Sequence, residues 1–154
     1  MNSIMLSTGK DDWETPQDLF DRLNRKYQFT LDPCATPQNT KCQKYFTIQD
    51  DGLLQNWKGH TVFCNPPYSK RSKDNPGQEA WIQKAYEESR DPNTTVVMLL
   101  PARTDTKAFH KYILPYADIE FLPGRVKFVG AKHNAPFPCM IAKFPKSPKE
   151  ETNG

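Results

Sequence analysis

The sequence lacks any run of about 18 consecutive apolar residues, which is the length that a membrane-spanning helix requires. Its first ten residues also lack the apolar stretch of a secretory signal peptide. Both absences argue against a membrane-bound or secreted protein. We therefore expect a soluble protein of the cytoplasm that has no membrane partner.

Cysteine is also scarce, and the four cysteines form no CxxC pair. A disulfide framework is not expected in a domain that is large enough to build its own core. The three histidines are equally scattered, so no cluster has the ligand spacing of a zinc site. We therefore predict that the protein binds no metal. The cysteines are Cys34, Cys42, Cys64 and Cys139.

The seven glycines include no GxG turn, which marks many nucleotide-binding folds. The chain has 14 prolines instead, and these favour ordered loops between short regular elements. The net charge of +3 permits a nucleic-acid partner without establishing one. A length of 154 residues suits one domain. We assign the domain to residues 1–144, with a mobile first ten residues, and a disordered tail to residues 145–154.

Helix and strand signals alternate along the chain. The first helix is predicted to begin at Thr15-Pro16, where Thr15 caps the helix and Pro16 fills its first position. Two further helices and five short strands follow, and the Pro123-Gly124 turn predicts a hairpin. The further helices are predicted over 77–90 and 106–113, the strands over 29–32, 45–48, 61–64, 94–100 and 139–144, and the hairpin over 119–122 and 126–129.

This alternation predicts a single α/β domain with a mainly parallel sheet covered by helices and a C-terminal antiparallel hairpin. In open sheets of this class, ligands bind beyond the carboxyl ends of the strands. Asp32, Asn65 and Pro101 each close a predicted strand. We therefore expect these three residues to line one crevice.

The tetrapeptide Asn65-Pro66-Pro67-Tyr68 directly follows an apolar strand. Its two prolines lack backbone donors and fix the chain, so the loop is stiff and its carbonyls point outward unpaired. We predict a pocket in which a flat ring stacks on Tyr68, while the ring's exocyclic amine donates to the Asn65 side-chain oxygen and the Pro66 carbonyl. The alternative is a rigid proline turn with a packed tyrosine.

An exocyclic amine on a ring such as adenine is a poor nucleophile because its lone pair is delocalised into the ring. Two acceptors placed off the ring plane favour a more tetrahedral nitrogen, whose lone pair can attack an activated methyl group in line. Such catalysis rests on positioning and electrostatics, and it requires neither a covalent intermediate nor a metal. The predicted catalytic residues are therefore Asn65, Pro66, Pro67 and Tyr68.

Several segments, taken together with this tetrapeptide, resemble one family. The tetrapeptide matches the (Asp/Asn)-Pro-Pro-(Tyr/Phe) motif of amino-group methyltransferases, and the chain from Trp13 to Phe144 resembles the small phage and prophage DNA N6-adenine methyltransferases. The resemblance implies a Rossmann-like methyltransferase fold, S-adenosylmethionine as methyl donor, adenine N6 in double-stranded DNA as target, and a bacterial or phage-infected host cell. The other matching segments are Trp13-Glu14-Thr15-Pro16, Leu19-Phe20, Leu31-Asp32-Pro33-Cys34-Ala35, Leu100–Thr106 and Leu122–Phe128.

The resemblance also implies where S-adenosylmethionine binds, between the start of the first helix and the turn that follows the first strand. A carboxylate at the end of that strand can pair with the ammonium group of the cofactor. The small side chains after it let the backbone approach the ligand, although the family's glycine-rich turn is replaced here by Pro33-Cys34-Ala35. The residues assigned to the cofactor in this way are Trp13, Thr15, Pro16, Asp32, Cys34 and Ala35.

Phe46, Asp50 and Asp51 are predicted to contact the adenosine part of the cofactor. An aromatic ring can stack on the adenine, and a carboxylate can accept from ribose hydroxyls, as in other doubly wound folds. The alternative places Phe46 in the core and the two aspartates in a solvated turn.

Cations surround the predicted pocket and are candidates for DNA contacts. If the strand ends cluster, two cations after the tetrapeptide and two arginines near later strands can hold phosphates around a flipped base. We predict a phosphate contact for Arg103 and a contact with the target site for Arg125, whereas Lys73 and Lys127 are interpreted as solvated charges. The predicted DNA-binding residues are Lys70, Arg71, Arg103 and Arg125.

Two kinds of alternative remain open. One keeps the chemistry and changes the amine, to RNA adenine, to cytosine N4 or to a protein glutamine. The other is a non-catalytic nucleic-acid-binding module of the same fold. Binding of S-adenosylmethionine distinguishes the enzymes from the module.

Overall fold

The computed structural model describes residues 13–69, 72–73 and 76–148, and these form one α/β domain around a four-stranded sheet. The helical elements are α1 (Gln17–Tyr27), a 3-10 turn (Gly52–Leu54), α2 (Gly77–Glu88), and a π-helical segment (Phe109–Ile113) that continues as α3 (Leu114–Tyr116). The strands are β1 (Thr61–Cys64), β2 (Thr95–Pro101), β3 (Asp118–Phe121) and β4 (Cys139–Phe144).

The sheet has the strand order β1-β2-β4-β3 and is mixed. β1 and β2 are parallel, whereas β4 runs antiparallel to both of its neighbours, β2 and β3. Within the described residues, β1, β2 and β3 therefore run in one direction and β4 runs against them, so the sheet is mixed and the prediction of a mainly parallel sheet is confirmed only in part. β4 begins at the end of the sheet where β3 stops. A strand that turns back in this way pairs antiparallel with the one before it and needs no crossover helix.

The sheet is extended beyond β1 by isolated bridges. Leu31 pairs in parallel with Val62, and Asp32 pairs in parallel with Tyr45. The strand predicted over 29–32 is therefore reduced to two isolated bridges, and the strand predicted over 45–48 is reduced to one. The strands predicted over 61–64 and 139–144 are confirmed, and the one predicted over 94–100 is shifted by one residue.

The sheet separates two apolar layers, and β2 contributes to both. Val96, Met98 and Leu100 pack with α2 and the π-helical segment on one face. Val97 and Leu99 pack on the other face with α1 and with side chains of the β3–β4 connection. Because successive strand residues point to opposite faces, an apolar run such as β2 is buried on both sides.

The β3–β4 connection, residues 122–138, does not form the predicted hairpin. β3 pairs with β4. The backbone of the predicted second strand bonds elsewhere, since Val129 N donates to Glu14 O at 3.0 Å. The hairpin prediction is wrong because the alternating pattern around Phe128 reflects burial of that ring against a distant part of the chain, and not pairing with β3.

The first helix begins one residue later than predicted. Pro16 is the N-cap of α1, and the cap makes no side-chain hydrogen bond. The predictions that Thr15 caps the helix and that Pro16 fills its first position are therefore wrong. The Thr15 hydroxyl accepts a hydrogen bond from the Asn65 side chain at 3.0 Å instead, so a tertiary contact replaces the local cap.

The helix predicted over 106–113 is present but is wound differently. Leu114 N donates to Phe109 O, and a hydrogen bond to the residue five positions earlier is the pattern of a π-helix. Pro115 follows and has no N–H group to continue the ordinary α-helical pattern, which accounts for the wider turn before it.

None of the four cysteines, all of which lie within the described residues, forms a disulfide bond. No helix within the described ranges combines the length and the apolar character needed to cross a membrane. The described part of the predicted tail lies against β3, because Ser147 N donates to the Asp118 carboxylate at 3.1 Å. The first twelve and last six residues lie outside the described residues, so the predicted mobile start and domain boundary stay predictions.

Candidate active site

The carboxyl ends of the parallel strands meet at one edge of the sheet, and a crevice lies there. It encloses about 410 Å³, part of it continuous with solvent. Asp32 and Asn65 both line it, as predicted, whereas Pro101 is not among its lining residues. The lining residues are Trp13, Glu14, Thr15, Asp32, Cys34, Asn39, Lys41, Phe63, Asn65 and Pro67.

The Asn65 side chain is held by the segment that precedes α1. Its Nδ2 donates to the main-chain carbonyl of Trp13 and, at 3.0 Å, to Thr15 Oγ1. Its Oδ1 is buried and has no hydrogen-bond partner among the described residues. An unpaired buried acceptor is costly, so this oxygen, on a residue that lines the crevice, is a candidate to accept from a ligand.

Tyr68 is buried in the layer that contains α1. Its hydroxyl donates to Leu99 O at 3.1 Å, and its ring packs edge-on against Phe128 and Phe137. Burial raises the pKa of the Tyr68 phenol well above its ordinary value, so the group is neutral. Stacking of Tyr68 on a substrate ring stays a prediction, and it would require the ring to leave these contacts.

Asp32 is 5% exposed and faces the crevice from the end of its bridge with Tyr45. Its carboxylate accepts from Cys34 N at 3.3 Å and from Lys41 N at 3.4 Å. Burial raises the pKa of the Asp32 carboxyl to about 7, although these two hydrogen bonds and the charge of Lys41 oppose the shift. A buried carboxylate of this kind favours a cationic ligand, because the cation restores the interactions lost with water.

Lys41 is a crevice residue that sequence reasoning missed. Its Nζ lies 3.4 Å from Glu14 Oε2 and donates to Gln17 Oε1 at 3.2 Å, and its side chain is 9% exposed. Lys41 thereby joins the turn after Asp32 to the segment that holds Asn65. A lone lysine in an irregular segment carries no sequence signal that distinguishes it from a surface charge.

The other residues assigned to the cofactor divide into two groups. Trp13, Thr15 and Cys34 line the crevice. Pro16 and Ala35 do not line it, and Ala35 N donates to Phe46 O at 3.0 Å within the extended sheet. A role for these two residues in cofactor binding stays a prediction.

Phe46, Asp50 and Asp51 lie outside the crevice lining. Phe46 is half-buried and packs against the core. Asp50 accepts from Thr47 N at 2.8 Å, and Asp51 accepts from Leu53 N at 3.2 Å, so both carboxylates stabilise local turns. Contacts of these three residues with adenosine stay a prediction and would compete with those local bonds.

The predicted DNA contacts lie in different settings. Arg103 is half-buried, and its Nη1 donates to Tyr68 O at 3.2 Å, so it supports the loop at residues 65–68. Arg125 is exposed in the β3–β4 connection, which leaves and re-enters the sheet at the crevice edge. Lys70 and Arg71 lie outside the described residues. DNA binding by these four residues stays a prediction.

An aromatic cluster beside the site was also missed. The Trp13 ring centroid lies 5.3 Å from that of Phe128 and 5.6 Å from that of Phe137. Tyr68 contacts the same two rings, so the cluster joins the segment before α1, the loop at residues 65–68 and the β3–β4 connection. The sequence signal for these contacts was the presence of Phe128 and Phe137 in a connection that is otherwise basic and rich in proline.

Among residues 13–69, 72–73 and 76–148, no group of three or more His, Cys, Asp or Glu side chains is arranged to hold a metal ion. The hydrogen-bonding groups of the lining residues instead include two amides, a hydroxyl, two carboxylates and one ammonium. Such a set suits an organic ligand that carries charged and hydrogen-bonding groups.

Comparison with known proteins supplies a family. A profile of the DNA N-6-adenine-methyltransferase (Dam) family matches residues 2–142. The DNA N-6-adenine-methyltransferase of Haemophilus phage HP1 is 32% identical over 123 residues, which cover 78% of this chain and 67% of the phage protein. The protein of the same name from Escherichia phage T1 is 32% identical over 103 residues, which cover 65% of this chain and 40% of that protein.

Proposed function

Because the chain belongs to the DNA N-6-adenine-methyltransferase (Dam) family, we propose that the crevice at Asn65 is where it methylates the N6 amino group of adenine in DNA. The chain is an adenine-specific DNA methyltransferase. The proposal adds that the fold is of the Rossmann-like methyltransferase type, that S-adenosylmethionine is the methyl donor, and that the DNA is double-stranded.

The crevice residues fit S-adenosylmethionine. Asp32 offers a buried carboxylate to the ammonium of the cofactor, and burial raises the pKa of this carboxyl, a cost that a bound ammonium would offset. Trp13 and Cys34 supply apolar walls, and Lys41 supplies a positive charge close to Asp32. When bound, S-adenosylmethionine supplies a methyl group that is activated by its positively charged sulfur.

The chemical work of the chain is to orient the adenine amine. Asn65 Oδ1 accepts one N6 hydrogen, and the Pro66 carbonyl accepts the other, so the nitrogen lone pair is withdrawn from the ring. The buried setting strengthens both hydrogen bonds relative to water. Since adenine is paired within a duplex, the base must leave the stack to reach Asn65. The observation that carries this proposal is the buried, unpaired Oδ1 of Asn65.

The proposal is tested by incubating the purified protein with labelled S-adenosylmethionine and duplex DNA that lacks methylated bases, followed by nucleoside analysis. The expected product is N6-methyladenine, and Asn65→Ala should form it at a rate lower by about 10²-fold or more. If the label appeared in N4-methylcytosine, in added RNA or in protein, adenine N6 in DNA would not be the target. Absence of cofactor binding in calorimetry would contradict the enzyme and favour a non-catalytic binding module.

Cofactor affinity should depend on pH through Asp32. The folded pKa of Asp32, about 7, lies above the ordinary value, so the free protein binds an extra proton between about pH 4 and 7 and loses stability as pH rises through that range. The ammonium of the cofactor requires the ionised carboxylate. Affinity should therefore rise by up to about tenfold per pH unit towards pH 7 and level off above it.

Calorimetry at several pH values measures this dependence. Asp32→Asn should bind S-adenosylmethionine weakly and with little change between about pH 5 and 8. Asp91→Asn is the matched control, because Asp91 lies in the turn before β2, at the opposite edge of the sheet, and accepts from Thr94 Oγ1. If Asp32→Asn kept the steep pH dependence, the ammonium contact would be assigned to the wrong residue.

The DNA contacts are tested with the two arginines. Arg125→Ala should relax site preference at one base position by on the order of 1–3 kcal/mol, because an exposed arginine at the crevice edge can reach a guanine edge. Arg103→Ala should flatten the salt dependence of DNA binding by about one unit of slope. It should also lower kcat, because Arg103 supports the Tyr68 carbonyl.

Filter binding against salt, on duplexes with and without the methylated site, separates these outcomes. Arg90→Ala is the control, since Arg90 is exposed at the end of α2, at the opposite edge of the sheet. If Arg125→Ala lowered the DNA affinity equally on every duplex, Arg125 would be assigned to a phosphate contact. If Arg103→Ala and Arg125→Ala both had the DNA affinity, salt slope and site preference of Arg90→Ala, neither arginine would contact DNA.

A further inference from the structure

The hydrogen bonds of Asn65 determine which end of its amide faces the crevice. The acceptor for one Nδ2 hydrogen is the Trp13 main-chain carbonyl, which has no hydrogen to donate. An amide turned the other way would place two oxygens against each other. The NH₂ end must therefore face the segment before α1, which leaves Oδ1 as the end without a hydrogen-bond partner on a residue that lines the crevice.

Thr15 completes this arrangement. Its side chain is buried, with the residue 3% exposed, and Oγ1 accepts the second Nδ2 hydrogen at 3.0 Å. The Thr15 hydroxyl is thereby drawn away from the helix cap that the sequence predicted for it. Both hydrogens of the amide are satisfied, so rotation of the Asn65 side chain would break two hydrogen bonds at once.

We propose that Thr15 is a positioning residue for methyl transfer, because it holds the Asn65 amide with Oδ1 facing the adenine amine. The inference rests on the proposed function of Asn65. It differs from the cofactor contact that the family resemblance implies for Thr15, since its effect passes through Asn65. The two roles predict different kinetic losses, so they can be separated.

Thr15→Val keeps the shape of the side chain and removes the hydroxyl. It should lower kcat by about tenfold, the effect of one lost hydrogen bond, while KM for S-adenosylmethionine and for DNA stays close to that of the unmodified protein. Thr15→Ser keeps the hydroxyl and should restore most of the rate. A rise in the cofactor Kd with unchanged kcat would overturn the proposal and return Thr15 to cofactor binding.

A double-mutant cycle isolates the pathway of the effect. In an Asn65→Ala background, Thr15→Val should cause no further loss of rate, because the amide that it positions is gone. A full additional tenfold loss would mean that Thr15 acts independently of Asn65, and the proposal would be wrong.

A readout without catalysis separates this proposal from the proposed function. In ¹⁵N-labelled protein the Asn65 side-chain NH₂ resonances are identified by their loss in Asn65→Ala. Thr15→Val should shift them and speed their hydrogen exchange, and Thr15→Ser should restore both. Unchanged resonances would overturn the positioning role even in an active enzyme. An unmodified protein that methylates no DNA, but shows the expected shifts, would contradict the proposed function alone.

Discussion

Asn65→Ala should lower kcat for DNA methylation by about 10²-fold or more, while the Kd for S-adenosylmethionine stays nearly unchanged. The reason is the role proposed for Asn65 Oδ1, which is buried without a hydrogen-bond partner and would accept from the adenine amine. Loss of this acceptor removes an interaction that strengthens as the nitrogen becomes tetrahedral, so its effect falls on the chemical step. Single-turnover kinetics with labelled cofactor measure the rate, and calorimetry measures the affinity.

The matched control is Asn56→Ala. Asn56 is an exposed asparagine whose Oδ1 accepts from Lys58 N at 2.9 Å, outside the crevice lining. Its removal should leave kcat unaltered. A pattern in which Asn65→Ala weakened cofactor binding with unchanged kcat would place Asn65 in the cofactor site and remove it from catalysis.

Gly52→Ala should lower the free energy of unfolding by about 3 kcal/mol and the melting temperature by roughly 10 °C. A methyl group at Gly52 would overlap the Pro33 carbonyl and lie 3.1 Å from the Trp81 ring. Neither neighbour can yield easily, because Pro33 is buried and Trp81 belongs to the core. Since Pro33 directly follows Asp32, the displaced backbone should also weaken cofactor binding.

Gly59→Ala serves as the comparison for this clash. Gly59 has φ of +82° and no atom within 4 Å of the added methyl group, so its substitution carries only the cost of the left-handed backbone, about 1 kcal/mol. Thermal unfolding and cofactor calorimetry on both variants measure the difference. If Gly52→Ala unfolded at the same temperature as Gly59→Ala, the close approach to Pro33 would be refuted.

Sequence patterns predicted those elements whose signal is local. β1 and β4 are apolar runs bounded by turn residues, and both were placed at their observed bounds. The same reasoning placed Asp32 and Asn65 together, because both follow strand positions that end at one edge of the sheet. The parallel bridge between Leu31 and Val62 confirms the reason for that expectation.

Errors arose where a side chain or backbone group found a distant partner. The pattern around Phe128 predicts a strand, but this ring packs against Trp13, more than a hundred residues earlier in the chain. Thr15 is a residue type that commonly caps helices, but its hydroxyl instead accepts a hydrogen bond from the Asn65 side chain. Local propensity is weak compared with burial and tertiary hydrogen bonding, so such contacts override it.

The sequence by itself determined the α/β class, the stiff Asn65-Pro66-Pro67-Tyr68 loop after a buried strand, and the family resemblance that the comparisons bear out. Each follows from neighbouring residues, whose spacing and backbone restrictions are visible without coordinates. Only the tertiary structure decided the mixed pairing of the sheet and the direction of the Asn65 amide. These depend on which distant groups meet when the core closes, because a buried donor or acceptor must find a partner wherever the packing places one.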